Sequence, residues 1–358
     1  MFAIEMLPAE QGDALWIEYG PAANPHRVLI DAGVRRTFDV VKARSEELPR
    51  RKRRFDLFVI THVDSDHIGG VPKLLADRSL GLGFEEVWFN AWRHLPKVGD
   101  KLGPVEGELV SAELDRQGCS WNGAFDEKAV VVPGRGKLPR HELAGGMTLT
   151  LLSPTIDGLD KLRPAWETAV VAAGLKPGVQ DEALEEAARR RGVPDLLGAG
   201  LDVDVLAASR FEPDKAPANG STIAVLAEYG GSSCLFAGDA HPDVLQAGLT
   251  RLCRERKVER LAVSALKVPH HGSMYNVSDG VLQLVETDRY LFSTNGNQTE
   301  HPHPQGVARV IKRGGTPTLF FNYRSKTTEP WDDNRLMARY RYRAVYPESG
   351  RNGLRIEL

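Results

Sequence analysis

Short apolar, β-rich runs recur along the chain, each followed by a polar or glycine-containing loop. Asp13-Ala-Leu-Trp-Ile-Glu-Tyr19 alternates weakly, and Arg27-Val-Leu-Ile-Asp31 is a β-branched run ending at Ala32-Gly33. Both predict strands. Phe55 to Thr61 has the composition of a buried strand, and Glu86 to Asn90 and Met147 to Leu152 follow it. Strand signals return at Ser221 to Tyr229, Ser233 to Ala237, Leu261 to Val268, Tyr290 to Thr294 and Thr318 to Asn322, and Tyr346 to Leu358 closes the chain. Phe38 to Leu48 has helical spacing, and His67 to Leu80 predicts a helix behind a loop.

Between about Thr155 and Ala216 the pattern changes. Pro164 to Val171 and Asp181 to Arg191 are helical in propensity with polar outer faces. Strands interrupted by a helical stretch and then resumed predict one domain over residues 1–358, with a helical insertion at 155–216. No internal repeat is evident. An α/β class is the expectation.

Composition narrows the function classes. With 42% hydrophobic and 26% charged residues the chain is neither disordered nor low-complexity. No apolar run reaches the roughly 20 residues of a membrane helix, and Glu5, Glu10 and Asp13 stand where a signal peptide needs a basic end and an apolar core. Cys119, Cys234 and Cys253 are odd in number and far apart, so neither a disulfide framework nor a thiolate zinc site is expected, and a cytoplasmic location is. A balance of 46 Lys and Arg against 48 Asp and Glu gives a formal charge of -2, so any nucleic-acid contact has to come from a local patch.

Candidate chemistry lies directly behind predicted strands. Thr61-His62-Val63-Asp64-Ser65-Asp66-His67-Ile68-Gly69-Gly70 places two imidazoles and two carboxylates at a strand end, a mixed N/O set suited to Zn, Mn or Fe. The alternative is a polar loop whose Asp residues cap the next helix. In Cys234-Leu-Phe-Ala-Gly-Asp239-Ala-His241-Pro242-Asp243, a carboxylate ends an apolar strand, where it needs a partner or a metal. Asp243 reads as a first-turn helix residue and His241 as peripheral. The third cluster is Lys267-Val-Pro-His270-His271-Gly-Ser273. If its backbone is extended, adjacent imidazoles point apart, so one is a ligand and the other is free to hydrogen-bond substrate or pass a proton. In His301-Pro302-His303-Pro304, His301 is the better site candidate and His303 reads as an exposed loop residue.

Together these segments resemble the metallo-β-lactamase superfamily. More narrowly they resemble the branch that includes the metal-binding domain of the DNA-uptake protein ComEC, through Gly12-Asp13-Ala14, His62 to Gly70, Asn219-Gly-Ser221, Gly238-Asp239, Lys267 to Ser273 and His301-Pro302 in that order. The resemblance implies a four-layer αββα sandwich with its site along the edge where two sheets meet. It implies two divalent metal ions, Zn or Mn with Mg also admissible, held by His62, Asp64, Asp66, His67, Asp239 and His271 or His270. Asp64 stands where the common motif has a histidine, and Asn219 where a histidine usually precedes the Gly-Asp strand; both changes favour harder metals.

Such a site implies a water made acidic by the metals, to a pKa of about 7, and neutralised charge on a phosphoryl or acyl oxygen. Carboxylate-rich ligation and the cations Lys267, Arg324 and Arg50 to Arg54 favour a nuclease or phosphodiesterase acting on nucleic acid or a nucleotide. Asp66, His270 and Lys267 are the expected catalytic residues, with Asn219, Ser221, Ser273 and His301 supporting them or touching substrate. Two alternatives stand: hydrolysis of a lactone, thioester or phosphorylcholine ester at the same site, and a degenerate site in a partner-dependent binding module. The 155–216 insertion is a candidate surface for a protein partner or a second copy.

Overall fold

A computed structural model describes residues 1–96, 105–172, 201–313 and 315–358. Two mixed sheets face each other. The first has seven strands, in the order Leu354–Glu357, Phe2–Met6, Leu15–Tyr19, His26–Ile30, Leu57–Val59, Glu86–Trp88 and Ser120–Trp121. The second has eight, in the order Arg343–Val345, Thr318–Phe321, Arg289–Phe292, Ala265–Lys267, Ser232–Phe236, Ala224–Tyr229, Thr148–Ser153 and Arg140–Glu142.

Side-chain alternation assigns each strand's two faces to two cores. Leu15, Ile17, Val28, Ile30, Leu57 and Val59 join Leu149, Leu151, Val225 and Ala227 of the other sheet in one buried cluster. The intervening Trp16, Leu29 and Phe58 point the other way, onto Phe38 and Val41 of helix Thr37–Glu46, Leu74 and Leu75 of Val71–Ala76, and Val110 and Leu114 of Val105–Gln117. Helices Pro242–Arg256, Asp279–Leu284 and Pro304–Arg313 cover the second sheet through Leu245, Leu249, Val281, Val307 and Val310. The result is the expected αββα sandwich, and each fully buried large apolar side chain contributes about 2–3 kcal/mol.

Several predicted elements are divided. Phe55 to Thr61 splits at Asp56, whose carboxylate accepts from Tyr19 Oη and the Arg27 amide, so Arg54–Phe55 pairs separately with Gly83–Phe84. Leu261 to Val268 splits likewise: Leu261–Ala262 pairs with Val285–Glu286, and only Ala265–Lys267 enters the large sheet. The helix predicted over His67 to Leu80 breaks at Gly69-Gly70 into Ser65–Ile68 and Val71–Ala76. A Cβ on Gly70 would stand 2.3 Å from the Ala32 carbonyl oxygen, so glycine is what lets these two loops touch. Within the proposed insertion, Ile156–Ala172 and Val203–Ala207 are helical, and the Asp181 to Arg191 segment lies outside the described residues.

The parallel strands set the position of the site. Leu57–Val59 runs parallel to His26–Ile30, and Ala265–Lys267 runs parallel to both Ser232–Phe236 and Arg289–Phe292. Their carboxyl ends carry His62, Asp239 and His270-His271 to one edge, where Ile223 N donates to Thr61 O at 2.9 Å and joins the two halves.

Candidate metal centre

At that edge four imidazoles converge on one carboxylate oxygen. Asp239 Oδ2 lies 3.3 Å from His67 Nε2, 3.4 Å from His270 Nε2, 3.7 Å from His271 Nε2 and 3.9 Å from His62 Nε2. Asp66 Oδ2 is 3.6 Å from His271 Nε2, and Asp64 Oδ2 is 3.6 Å from His62 Nε2. Asp64 is the outermost of these, its side chain 43% exposed. Its carboxylate makes no cap bond to helix Ser65–Ile68, so helix capping does not account for it.

The backbone needed for this convergence is unusual. His270 and His271 both adopt left-handed conformations, with φ of 45° and 52°, and Gly272 follows at 91°. This corrects the expectation of an extended pair pointing apart: both imidazoles reach Asp239. Non-glycine residues at positive φ are uncommon and concentrate where function over-determines the chain. Asp31, at φ 57°, is another, and its buried carboxylate accepts from Thr61 N and Thr61 Oγ1 and bonds His67 Nδ1, each at 2.7 Å. That fixes the His67 ring with Nε2 turned inward. His271 Nδ1 donates to Ser293 O at 2.8 Å, with the same effect.

His270 is held differently. Asn276 Nδ2 donates to Asp214 Oδ2, Asp239 O and Ala240 O, which leaves its Oδ1 to accept from His270 Nδ1 at 2.9 Å. Asp214 Oδ2 also receives Asn219 Nδ2 at 2.6 Å and stands 3.5 Å from His270 Nδ1. Thus Asn219 belongs to the framework around His270. His301 is buried, its ring 4.9 Å from that of His270 and its Nδ1 without a hydrogen-bond partner among the described residues. Ser221 Oγ donates to Ala218 O, and Ser273 Oγ accepts from Tyr275 N, so both hydroxyls serve local turns. His303 is half-buried and its Nδ1 accepts from Met274 N, a correction to its reading as an exposed loop residue.

The expected cationic contacts are placed elsewhere. Lys267 is 1% exposed and its Nζ pairs with Asp13 Oδ2 at 2.8 Å beneath the cluster, so it does not face substrate as a free cation. Arg324 pairs with Asp332 and stacks on Tyr346. Arg53 donates to Leu48 O and Leu80 O, a scaffold role.

Within the cluster, carboxylates and imidazoles shift one another against their burial. Burial pushes His67 towards neutrality, but Asp239, Asp31 and Asp66 outweigh it and hold the imidazole well above its usual range. Against the same burial, Asp239 and Asp13 raise His271 to about 9. Burial would raise Asp239, yet His270, His67 and His271 keep it well below the carboxylate range. Buried polar atoms without hydrogen-bond partners among the described residues include His62 Nε2, Asp239 Oδ1 and Asp13 Oδ1. Ligand atoms of Asp13, His67, Asp239 and His271 all lie within 4.8 Å of one another. Unsatisfied imidazole and carboxylate donors this close fit a divalent cation in chemistry and in position.

The sequence profile of the Metallo-beta-lactamase superfamily matches residues 8–293. The chain belongs to the metallo-beta-lactamase superfamily. Members are generally hydrolytic, and the His62 to His67 loop, Asp239 and His271 fall within the matched span. A curated relative, ComE operon protein 3 of Bacillus subtilis (strain 168), is 24% identical over 172 residues, 44% of this chain and 21% of that protein. The chain therefore spans about a fifth of the length of that relative. Among solved structures it is similar to the metallo-beta-lactamase fold protein YhfI from Bacillus subtilis, with 10% identity and a TM-score of 0.43 over 99% of this chain and 98% of that one. It is also similar to Zn(2+)-bound PqqB from Methylobacterium extorquens, with 12% identity and a TM-score of 0.39 over 100% of both chains.

Sequence reasoning assigned no role to Asp214 or Asn276, and used Asp13 and Asp31 only as parts of a pattern. Asp31 ends a strand one residue before a glycine-containing turn, a signal of the same kind that singled out Asp239. Asp214 and Asn276 carried no such signal.

Proposed function

We propose that this chain is a metal-dependent hydrolase of phosphodiesters, with nucleic acid or a nucleotide as substrate and two divalent ions, Zn or Mn, as cofactors. The observation that carries the reading is the convergence of four imidazole Nε2 atoms on Asp239, with Asp66 and Asp64 beside them and buried donors left unsatisfied. His62, Asp64, Asp66, His67, Asp239 and His271 would hold the ions. When bound, such ions supply an acidic water and neutralise charge on a phosphoryl oxygen.

The remaining work falls to the chain's own residues. His270 is 21% exposed at its side chain, against 0–1% for His62, His67 and His271, and so is the imidazole that meets incoming substrate. Its Nδ1–H is fixed on Asn276, which leaves Nε2 to carry the exchangeable proton. Burial opposes its charge, but Asp239 and Asp214 shift its pKa upward, which favours the protonated form that can donate to an alkoxide leaving group. Asp31 and Ser293 O keep His67 and His271 from turning away.

The test is hydrolysis of single- and double-stranded DNA, RNA, cyclic nucleotides and chromogenic acyl esters by purified protein in Mn, Mg or Zn. Turnover of a phosphodiester, lost in Asp66→Ala, is expected. Acyl-ester turnover alone would replace the substrate class, and no turnover above the Asp66→Ala control would refute the hydrolase reading.

A further inference from the structure

We propose that Asp13, contributed by the turn before strand Leu15–Tyr19, is itself a ligand in this metal centre, and that the buried Lys267 is its positioning residue. The inference rests on the metal-binding half of the proposed function and is independent of the substrate.

Asp13 is anchored by its backbone between two loops of the site. Its amide donates to Asp66 O at 3.2 Å, and its carbonyl accepts from Gly33 N at 2.8 Å. Gly12 makes this possible, because a Cβ there would lie 1.6 Å from the Asp66 carbonyl oxygen. The carboxylate is buried and its two oxygens are treated unequally. Oδ2 takes the Lys267 ammonium at 2.8 Å; Oδ1 has no hydrogen-bond partner among the described residues.

Two plainer roles fit less well. A buried ion pair joining the two sheets stabilises only if the remaining lone pairs are satisfied, and here one carboxylate oxygen stays bare beside His67, Asp239 and His271. Orientation of His271 is the second. Asp13 Oδ1 is 3.6 Å from His271 Nδ1, but that nitrogen already donates to Ser293 O at 2.8 Å. What remains is a buried carboxylate with a ligand atom within 4.8 Å of those of His67, Asp239 and His271. Among the described residues, Lys267 Nζ has only Asp13 and Val268 O as partners, the latter at 3.4 Å, so it acts on the site through Asp13.

The experiment titrates Mn and Zn into metal-free full-length protein, with calorimetry for affinity, elemental analysis for stoichiometry and the Mn(II) resonance spectrum for the ligand field. Asp13→Asn is expected to lose at least tenfold in affinity or one bound ion, with an altered spectrum. Asp13→Asn leaves Lys267 buried without its partner and can fail to fold. The Asp13→Asn, Lys267→Met double variant removes both charges and must show the same loss. Lys267→Met alone is expected to weaken binding, with no additional loss when combined with Asp13→Asn, since it works only through that carboxylate. Wild-type binding with either Asp13 variant within threefold of it, at equal stoichiometry and unchanged spectrum, overturns the assignment. Additive losses would overturn the positioning role of Lys267. Wild-type protein that binds no metal overturns this proposal and the metal-dependent reading together.

Discussion

A single methyl group at Gly12 tests whether the first hairpin and the ligand loop form one unit. A Cβ there would stand 1.6 Å from the Asp66 oxygen, 2.6 Å from its carbonyl carbon and 3.1 Å from its Cα. Ordinary contact begins at about 3.5 Å, so peptide backbone, with no flexible tip to swing aside, has to retreat by roughly 2 Å. Overpacking costs about 1–3 kcal/mol, and a backbone clash belongs at the upper end. At roughly 1.3 °C per kcal/mol for a chain of 358 residues, Gly12→Ala should lower Tm by roughly 4 °C. The displaced peptide joins Asp66 to His67, so metal should be lost as well. Gly248→Ala is the control. Its Cβ would meet Leu152 O at 2.4 Å, a helix-on-strand contact that carries no candidate ligand. Thermal scans with and without metal, and elemental analysis after desalting, should show both variants destabilised and only Gly12→Ala depleted of metal. A Gly12→Ala protein that keeps its Tm within 2 °C, or loses stability yet retains full metal, refutes the reasoning.

Other perturbations separate scaffold from chemistry. Asp31→Asn weakens the clamp on His67 Nδ1 and should reduce metal affinity about 10–100-fold with the fold retained, read by calorimetry beside circular dichroism; unchanged affinity would exclude an orienting role. Arg309 is buried and donates to Met274 O, Val277 O and Ser209 O, so Arg309→Met should cost about 2–4 kcal/mol in urea unfolding, and a loss below 0.5 kcal/mol would count against it. For His94, burial and then Arg93 lower the pKa from 6.5 to about 4, and its Nδ1 accepts from Ala91 N. Above 6.5 both folded and unfolded chains hold it neutral. Between 6.5 and 4 only the unfolded chain gains the proton, so stability falls with falling pH, by about 3 kcal/mol in all. His94→Gln should flatten that part of the pH–stability curve, and an unchanged slope would contradict the assignment.

What could be read from sequence was what is local. His62, Asp66 and His67 sit within one loop behind one strand, and Asp239 ends another, so strand pattern plus residue type suffices to find them. Asp13 needs a further fact, that the first hairpin packs on the Asp66 peptide, and this follows from sheet order alone. Lys267 looked like a substrate contact because it precedes two histidines. It is buried because the strand Ala265–Lys267 is flanked on both sides by parallel neighbours. The pair His270-His271 was assigned to extended backbone by default; left-handed φ at two successive non-glycine residues has no sequence signature, since the surrounding packing imposes it. Asp214 sat in the segment read only as a helical insertion, and it reaches Asn219, Asn276 and the His270 ring.

The charge of the whole chain, -2, says little about this edge. Buried there are the carboxylates of Asp13, Asp31 and Asp239, and Lys267 is the only buried ammonium beside them among the described residues. Without metal, the balance must come from protons on His67, His270 and His271, and all three are shifted towards the charged form against their own burial. An imidazole that binds a metal has to give up that proton, so cations and protons are alternative occupants of one site. Replacing single protons with divalent ions turns an edge that is barely neutral into one that attracts anions. A near-neutral protein can therefore favour a phosphodiester, and that preference should vanish when the ions are removed by a chelator. Substrate binding that persists in the chelated protein with undiminished affinity would show that some other surface recognises the phosphate.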